Sequence, residues 1–296
     1  MRGRTCVSCR RRPASYYRRA SGQPLCTPCL EEAVARAVKR SIRGLRAFKP
    51  GVRVGVYLGA LDPLSAVALA YITGIVERRY SASTIAFKPS YITLGPNASR
   101  LIREAGVEIV EAPTPRLQGE VWAPTLLRAE RSAAALAALE WEANVALLPV
   151  TRTTLTALGV EALMSSRLEY MVDVAENSFE VMGVTVAYGL RTIESEAVRA
   201  LATLRGLVDI SSTITPRYLY KRVYSSVAYS GRPELEYSSL AAVSLIASTH
   251  RIEARCKLCG GPAGRGSECC KDCLIAWGCD DRLRRTPRSP PEGRGL

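Results

Sequence analysis

The sequence contains no long hydrophobic run. Its most apolar window, residues 54–76, is interrupted near the middle by Asp62 and Pro63, so it is a poor candidate for a membrane span. The first nine residues, MRGRTCVSC, carry no apolar stretch ahead of the first cysteines, and a secretory signal is therefore not predicted. Both absences lead us to expect a soluble cytoplasmic protein that has no membrane partner.

Histidine and mid-chain cysteine are also scarce. The single histidine, His250, is predicted to be a packing or surface residue and not a catalytic one. No cysteine lies between Cys29 and Cys256, which excludes thiol chemistry from the middle of the chain. Apolar residues are plentiful, because 296 residues with 47% hydrophobic content can build one large core plus small appendages.

Positive charge is concentrated at the two ends of the chain. The formal net charge is +14, yet residues 1–49 hold thirteen Lys or Arg against two acids, and residues 282–296 hold five Arg against one. The rest of the chain is close to neutral. A basic excess confined to terminal segments indicates a polyanion-binding surface, although solvated charge without a partner would give the same pattern.

Eight of the ten cysteines form two sets of paired CxxC motifs, one near each end. The sets are Cys6, Cys9, Cys26 and Cys29, and Cys256, Cys259, Cys270 and Cys273. Two CxxC pairs supply the four thiolates of a tetrahedral zinc site, so we predict two structural zinc ions with no open position for a catalytic water. Disulfides are the alternative, which the spacing in a cytosolic chain disfavours. Cys269 and Cys279 are left over, and Cys269 is predicted to be a spectator.

The first cysteine module interleaves arginine with tyrosine in RRRPASYYRR, residues 10–19. Guanidinium groups pair with phosphates and tyrosine rings stack on unpaired bases, which favours structured RNA as the partner. The next stretch, LEEAVARAVKRSIRGLRAF, has apolar residues at helical spacing and basic residues, Arg36 among them, on or beside the opposite face. The predicted RNA-binding residues are Arg10, Arg11, Arg12, Tyr16, Tyr17, Arg18, Arg19, Lys39, Arg40 and Arg43.

Residues 50–215 alternate between short apolar strands and helices. Strands are predicted at 52–58, 83–87, 107–111, 145–150 and 184–187, and helices at 63–78, 97–104, 125–140, 153–165 and 195–204. This order predicts an α/β fold whose parallel sheet is covered by helices on both faces. Ligands of such folds bind beyond the carboxyl ends of the strands, where the turn LGALDP, residues 58–63, follows the first strand.

With these features in place, the chain resembles the tRNA 2-thiolation branch of the PP-loop ATP pyrophosphatases, enzymes that replace a uridine oxygen by sulfur. The resemblance covers nearly the whole chain. It implies an N-terminal zinc module at 1–32, a basic linking helix at 33–50, a PP-loop α/β domain at 51–250, a zinc ribbon at 251–281 and a basic disordered tail at 282–296. In RTIESEAVRALATLRGL, Glu194 and Glu196 match two acids that lead a helix in the family, although the helix dipole alone would account for such a pair.

The nucleotide loop departs from the pattern of the resembled family, which is SGGKDS. Here residues 58–63 read LGALDP, so only Gly59 and Asp62 match, and the lysine, the hydroxyls and the second glycine are lost. Pro63 also removes an amide that could face an anion, which leaves Asp62 as a cap for the helix that follows. Gly59, Ala60 and Asp62 are therefore predicted to form a vestigial nucleotide site, with neither ATP nor Mg²⁺ expected to bind.

Two further departures concern sulfur and metal chemistry. Sulfur-transferring members of the family carry cysteines in the α/β domain for an iron–sulfur cluster or a persulfide, so no iron–sulfur cluster is expected in this chain. The stretch LLPVTRTTLTALGVEAL offers threonines and Arg152 where the family has a His-Asn-x-Asp-Asp type of motif. Both departures indicate a chain that does not catalyse thiolation.

Three functions are compatible with the sequence. The first, which we favour, is a catalytically silent paralogue that binds tRNA and pairs with an active PP-loop thiolation enzyme, or with a second copy of itself. The second is an active ATP-dependent tRNA sulfurtransferase with a diverged nucleotide loop. The third is a zinc-containing RNA-binding or scaffold protein unrelated to thiolation.

Overall fold

A computed structural model of the chain describes residues 4–19, 21–42, 44–45, 51–230, 232–250 and 252–278. Arg43, Cys279 and the tail at 282–296 lie outside these ranges. The helices are α1 (Thr27–Ser41), α2 (Pro63–Glu77), α3 (Pro96–Glu104), α4 (Ala123–Glu140), α5 (Arg152–Met164), α6 (Met171–Ala175), α7 (Ser195–Arg205), α8 (Tyr218–Ser230), α9 (Pro233–Thr249) and α10 (Lys271–Trp277).

The strands fall into one large sheet and several two-stranded ribbons. They are β1 (Tyr16–Arg18), β2 (Gln23–Leu25), β3 (Arg53–Tyr57), β4 (Ser83–Lys88), β5 (Ile92–Leu94), β6 (Val107–Glu111), β7 (Gly119–Val121), β8 (Val145–Thr151), β9 (Ser178–Val181), β10 (Val184–Leu190), β11 (Ile210–Ser212), β12 (Ile214–Pro216), β13 (Ala254–Arg255) and β14 (Pro262–Ala263).

The large sheet has six strands in the order β6-β4-β3-β8-β10-β9. Strands β6, β4, β3, β8 and β10 are parallel, and β9 pairs antiparallel with β10 at the edge. The α/β fold with a mostly parallel sheet is thus confirmed. Strand β3 has β4 on one side and β8 on the other, so the strand order reverses there and the turn at 58–63 lies at the switch point.

Each predicted central strand and helix is present, with ends that differ by three residues or fewer. Other elements begin elsewhere than predicted or were not predicted. Helix α1 begins at Thr27, earlier than the expected linking helix at 33–50, because Cys26 is its N-cap and Pro28 starts its first turn. The antiparallel edge strand β9 and the helices α8 and α9 were also missed.

One glycine is required by the packing of the sheet. A Cβ placed on Gly55 in β3 would lie 2.1 Å from Cε2 of Phe87 on the neighbouring strand β4. The ring therefore occupies the space that a side chain at position 55 would need. The ring of Phe87 thus packs directly against β3 ahead of the turn at 58–63.

The buried residues of both cysteine modules belong to the same hydrophobic cluster as the sheet and its helices. Cys6 and Cys26 join it at one end of the chain, and Cys256, Cys259 and Cys273 join it at the other. In the part of the chain that the structure describes, no helix is both long and apolar enough to cross a membrane.

Candidate functional site

The turn at 58–62 is closed to solvent. It leaves the carboxyl end of β3 and leads into α2, the position at which backbone amides and a helix N-terminus usually receive a phosphate. Leu58 is fully buried, and Ala60, Leu61 and Asp62 are 3%, 7% and 3% exposed. A nucleotide could therefore reach these residues only if the surrounding side chains moved.

A carboxyl group from α4 sits where an anion would meet the turn. Glu130 is 1% exposed, and its Oε1 accepts the backbone N–H of Ala60 at 2.5 Å and the hydroxyl of Tyr91 at 3.2 Å. The hydroxyl of Tyr91 is also 3.1 Å from that of Tyr57. A Cβ on Gly59 would lie 2.5 Å from Oε2 of Glu130, so glycine here makes room for a side chain of the protein itself.

Burial controls the ionisation of this carboxyl group. Desolvation raises the pKa of Glu130 from 4.5 to about 7, against the opposing effects of the Ala60 N–H and the Tyr91 hydroxyl, which favour the charged form. Burial also raises the pKa of Tyr57 and of Tyr91 well above 10, so both stay hydroxyl donors. Tyr220, buried on α8, likewise has a raised pKa. The turn is therefore filled by a hydrogen-bonded Glu–Tyr–Tyr chain.

Stability should fall with rising pH because of Glu130. A carboxyl whose pKa is raised on folding contributes stability that is complete below pH 4.5 and is lost as the pH rises through about 7. The loss of folding stability that Glu130 causes over this pH range is about 3 kcal/mol. In urea unfolding at several pH values, Glu130→Gln should lose this part of the pH dependence and gain stability relative to wild type toward pH 8. The pH dependence that remains in this variant comes from Glu77 and Glu161, whose pKa values burial also raises to about 7.

The matched control is Glu108→Gln, because Glu108 lies on the exposed side of β6. Its pH profile should superimpose on that of the wild type. A Glu130→Gln profile that is parallel to wild type from pH 4 to 8 would contradict the assignment of a raised carboxyl pKa at the turn.

Asp62 is held at the other end of the turn. It is the N-cap of α2: Oδ1 accepts the backbone N–H of Ser65 at 3.3 Å, and Oδ2 accepts the Ser65 hydroxyl at 2.9 Å. Oδ2 also accepts the hydroxyl of Tyr224 on α8 at 2.7 Å, and Nε of Arg199 lies 3.8 Å from Oδ1. The Asp62 carboxylate thus binds the protein's own donors.

The two cysteine sets converge as the spacing predicts. Within each set the four Sγ atoms all lie within 4.8 Å of one another, and the Sγ–Sγ distances Cys9–Cys26 and Cys259–Cys270 are both 3.7 Å. Four thiolates around one tetrahedral ion with bonds of about 2.3 Å stand about 3.8 Å apart, so each set fits a single metal ion. Cys269 is buried and belongs to neither set.

A buried ionic cluster joins the C-terminal module to α4. Arg128 lies 2.6 Å from Asp173 and 3.0 Å from Asp272, and Arg131 lies 2.8 Å from Asp173, all with side chains no more than 4% exposed. Nη1 of Arg131 also donates to the carbonyl of the metal-ligand candidate Cys259 at 3.0 Å. Burial alone would raise the pKa of Asp173, but the two guanidinium charges outweigh it and hold that pKa below its usual value.

Two arginines that were predicted to bind RNA form ion pairs between the N-terminal module and the start of α7. Nε of Arg18 donates to Oε1 of Glu194 at 2.6 Å, and Nε of Arg19 lies 3.1 Å from Oε1 of Glu196. The acid pair at the start of α7 therefore binds the first cysteine module. Arg18 is two-thirds buried in this contact, and one third of its side chain stays exposed.

Arg152, at the start of α5, lies in the same region. Its Nε donates to Oε2 of Glu236 on α9 at 2.5 Å, and Nη2 donates to Oε2 of Glu194 at 3.3 Å. Thr153 also donates to Glu236, at 2.6 Å. Arg152 and Thr153 thus form buried contacts between α5, α7 and α9.

The remaining predicted RNA residues divide by exposure. Arg10, Arg11, Arg12 and Arg40 are exposed, and Tyr17 and Lys39 are half-buried. Tyr16 is 7% exposed, so little of its ring is open for a base to stack on. Arg36, Lys39 and Arg40 on α1 line a cleft of about 560 Å³ together with Arg18 and Thr192. His250 is exposed just after α9.

Sequence reasoning missed Glu130 and its two arginine neighbours on α4. The signal was present: the residues RAER interrupt an otherwise apolar helix, APTLLRAERSAAALAALE, in which every position from 123 to 135 is buried. Charged residues inside such a helix are rarely buried unless they are paired. The partners were not visible, because Asp173 and Asp272 lie 45 and 144 residues from Arg128, and Tyr91 lies 39 residues from Glu130.

No protein-family model matches the chain, and no curated protein matches it by sequence at a significant level. Among solved structures, it is similar to the U34-tRNA thiolase NcsA from Methanococcus maripaludis with its [4Fe-4S] cluster, with a TM-score of 0.69, 16% identity, and coverage of 93% of this chain and 96% of that one. A second match, mycobacterial Rv1454c complexed with NADPH, covers 83% of this chain and 59% of the other at 12% identity, with a TM-score of 0.25 that is too low to support a shared fold. The chain thus shares the fold of the thiolase structure.

Proposed function

We propose that this chain is a non-catalytic, tRNA-binding protein of tRNA wobble-uridine 2-thiolation that pairs with an active PP-loop enzyme. The fold it shares with a U34-tRNA thiolase supports the connection to tRNA thiolation. The observation that carries the non-catalytic part is the contact between Glu130 and the Ala60 amide. A carboxyl group in that position takes up the hydrogen-bond donor that a phosphate would need, and it repels a phosphate whenever it is ionised.

Two further features support the same proposal. The 226 residues between Cys29 and Cys256 contain no cysteine, so the α/β domain has no thiolate to carry sulfur or hold an iron–sulfur cluster. The two cysteine sets have the sulfur spacing of a single tetrahedral ion, whereas a four-iron cluster, which binds each thiolate through a different iron, would hold them further apart. We therefore assign two structural zinc ions to this protein.

Binding of tRNA is assigned to the exposed arginines of the N-terminal module and α1. Arg10, Arg11 and Arg12 follow the first CxxC motif, and Arg36 and Arg40 lie one turn apart on the exposed face of α1. Among the described residues, no acidic side chain forms a salt bridge with any of these five. Exposed guanidinium groups without an acidic partner are suited to phosphate contacts that release counterions.

The double variant Arg36→Ala/Arg40→Ala should weaken tRNA binding and reduce its salt dependence. Removal of each phosphate contact should lower the slope of log K against log salt by about 0.7 to 0.9. The matched control is Arg100→Ala/Arg103→Ala, which removes two exposed arginines from α3, the helix that packs beside the edge strand β6. Filter binding of a tRNA transcript at several salt concentrations measures the affinity and its salt dependence for both variants. Equal losses in the two variants would contradict the assignment of the RNA surface to α1.

Affinity purification from the native cell tests the pairing. Recovery of tRNA together with an active PP-loop protein would support the proposal. RNA without such a protein would instead favour a scaffold unrelated to thiolation, and ATP-dependent thiolation by the purified chain alone would favour an active enzyme with a diverged loop.

A further inference from the structure

A cleft lies between the N-terminal module, α7 and α8, outside the closed turn. Its volume is about 580 Å³. Tyr16, Tyr17 and Arg19 of the module line one side, and Glu196 and Arg199 of α7 line another. Tyr229 and Ser225 of α8 complete it. We name it the tyrosine cleft, after Tyr16, Tyr17 and Tyr229.

One buried group in the tyrosine cleft has an unused hydrogen-bond donor. Tyr16 is only 7% exposed, and its hydroxyl, which is closed to solvent in the free protein, has no hydrogen-bond partner among the described residues, so a ligand reaches it once neighbouring side chains of the cleft move. Burial and the nearby charge of Glu196 raise the pKa of Tyr16, so the group remains a neutral hydroxyl that can donate. Buried hydroxyls nearly always have a partner in native proteins, so an unpaired one that lines a cleft indicates a ligand with an acceptor atom.

The walls of the cleft carry exposed aromatic faces next to positive charge. The side chain of Tyr229 is 71% exposed, and Cζ of Arg19 lies 5.7 Å from the centre of its ring. Cζ of Arg4 lies at the same distance, 5.7 Å, from the centre of the Tyr17 ring. Arg199 is 44% exposed. A flat ring beside guanidinium groups is suited to stack a nucleobase and to attract the phosphate attached to it.

Glu196 makes the cleft more selective than a basic surface. Its carboxylate pairs with Arg19 on one side and is 30% exposed. It can accept a hydrogen bond from the amino or imino group of a base, while the hydroxyl of Tyr16 donates to a base carbonyl. A base paired in a duplex presents neither its face nor its pairing edge, so these contacts distinguish an unpaired nucleotide from a helix.

We propose that the tyrosine cleft binds a single unpaired nucleotide of the RNA, with its base stacked on Tyr229, its pairing edge between Tyr16 and Glu196, and its phosphate near Arg19 and Arg199. The inference rests on the proposed RNA-binding function and adds a base-specific site to the phosphate contacts of α1. It does not involve the closed turn.

The test uses a fluorescein-labelled single-stranded RNA decamer without self-complementarity and the blunt duplex that it forms with its complement, measured by fluorescence anisotropy. Stacking of one base is worth about 1 to 3 kcal/mol, so Tyr229→Ala should weaken single-strand binding about 5- to 150-fold and leave duplex binding unchanged. The matched control is Tyr218→Ala, because Tyr218 is 64% exposed on the same helix and does not line the cleft. It should have no effect on either RNA.

A second variant, Tyr16→Phe, removes only the hydroxyl. It should weaken single-strand binding several-fold and leave the urea midpoint unchanged or higher, because no described residue of the free protein pairs with that hydroxyl. The inference is overturned if Tyr229→Ala and Tyr218→Ala behave alike, if Tyr16→Phe binds normally, or if the wild type does not bind the decamer.

Failure of this inference can be told from failure of the proposed function. If a tRNA transcript binds through Arg36 and Arg40 but the decamer does not bind, only the tyrosine cleft is wrong. If the decamer binds through Tyr229 but tRNA shows no preference over it and no dependence on α1, the tRNA function is wrong and the nucleotide site stands.

Discussion

Cys273→Ser is expected to release the metal of the C-terminal module and to unfold α10 with it. Cys273 is fully buried in the first turn of α10, and its Sγ lies within 4.8 Å of three other sulfurs. Structural zinc contributes about 10–16 kcal/mol in zinc-finger peptides at pH 7, which is comparable with the whole stability of a typical domain. Metal analysis should fall from two zinc ions to one per chain. Trp277, 2% exposed at the end of α10, should become solvated and shift its fluorescence to the red.

The control for this prediction is Cys269→Ser. Cys269 is buried beside the same module and is disulfide-bonded, but it belongs to neither sulfur set, so this variant loses the disulfide and should still retain two zinc ions. Iron and acid-labile sulfide in place of zinc would contradict the assignment of a single tetrahedral ion. Two zinc ions retained by Cys273→Ser would contradict its role as a ligand.

Asp173→Asn is expected to lower the free energy of unfolding by about 3–5 kcal/mol, because it leaves two buried guanidinium groups without their shared carboxylate. Arg128 and Arg131 belong to α4, which is buried along its first half. They lie 2.6 Å and 2.8 Å from Asp173. The substitution keeps the shape of the side chain, so the loss of stability reports the charge and not a cavity. Urea unfolding at neutral pH measures it.

A surface ion pair provides the comparison. Glu104→Gln removes the acid of the exposed pair with Arg100, at 2.7 Å on α3, and should cost less than about 1 kcal/mol. If Asp173→Asn costs no more than Glu104→Gln, the ion pairs of Asp173 with Arg128 and Arg131 do not stabilise the fold.

The central α/β fold could be predicted because its signals are local. The run RVGVY has the continuous apolar character of a strand buried on both faces, and Asp62 with Pro63 marks the start of the next helix. Helix α8 was missed although Tyr220, Val223, Tyr224 and Val227 recur at helical spacing, and only Tyr220 and Tyr224 of its residues are buried. Helix α9 was missed although PELEYSSLAAVSLIAST begins with proline and two acids, which are signals of a helix start.

Whether the turn at 58–63 can bind a phosphate could be predicted only in part. The loss of lysine and glycine from LGALDP is visible in the sequence, and it predicts weak phosphate binding. That a carboxyl group fills the space is not visible, because Glu130 is 70 residues away from Ala60 and reaches it only through the packing of α4 on the sheet. Contacts between such distant positions need the tertiary structure.

The same reason explains the ion pair that Arg18 of the N-terminal module forms. A row of arginines next to tyrosines favours RNA, and nothing local distinguishes Arg10 from Arg18. The fold places Glu194, 176 residues further along the chain, within 2.6 Å of Arg18. Arg18 thereby joins the N-terminal module to the start of α7.

Calorimetric titration of Mg·ATP into the zinc-loaded wild-type chain, at neutral pH and with tRNA present, tests the central claim most directly. The closed turn predicts no binding with a dissociation constant below about 1 mM, and no release of pyrophosphate. A low-micromolar dissociation constant that Asp62→Ala abolishes would contradict the claim. It would mean that Glu130 leaves the Ala60 amide when nucleotide arrives.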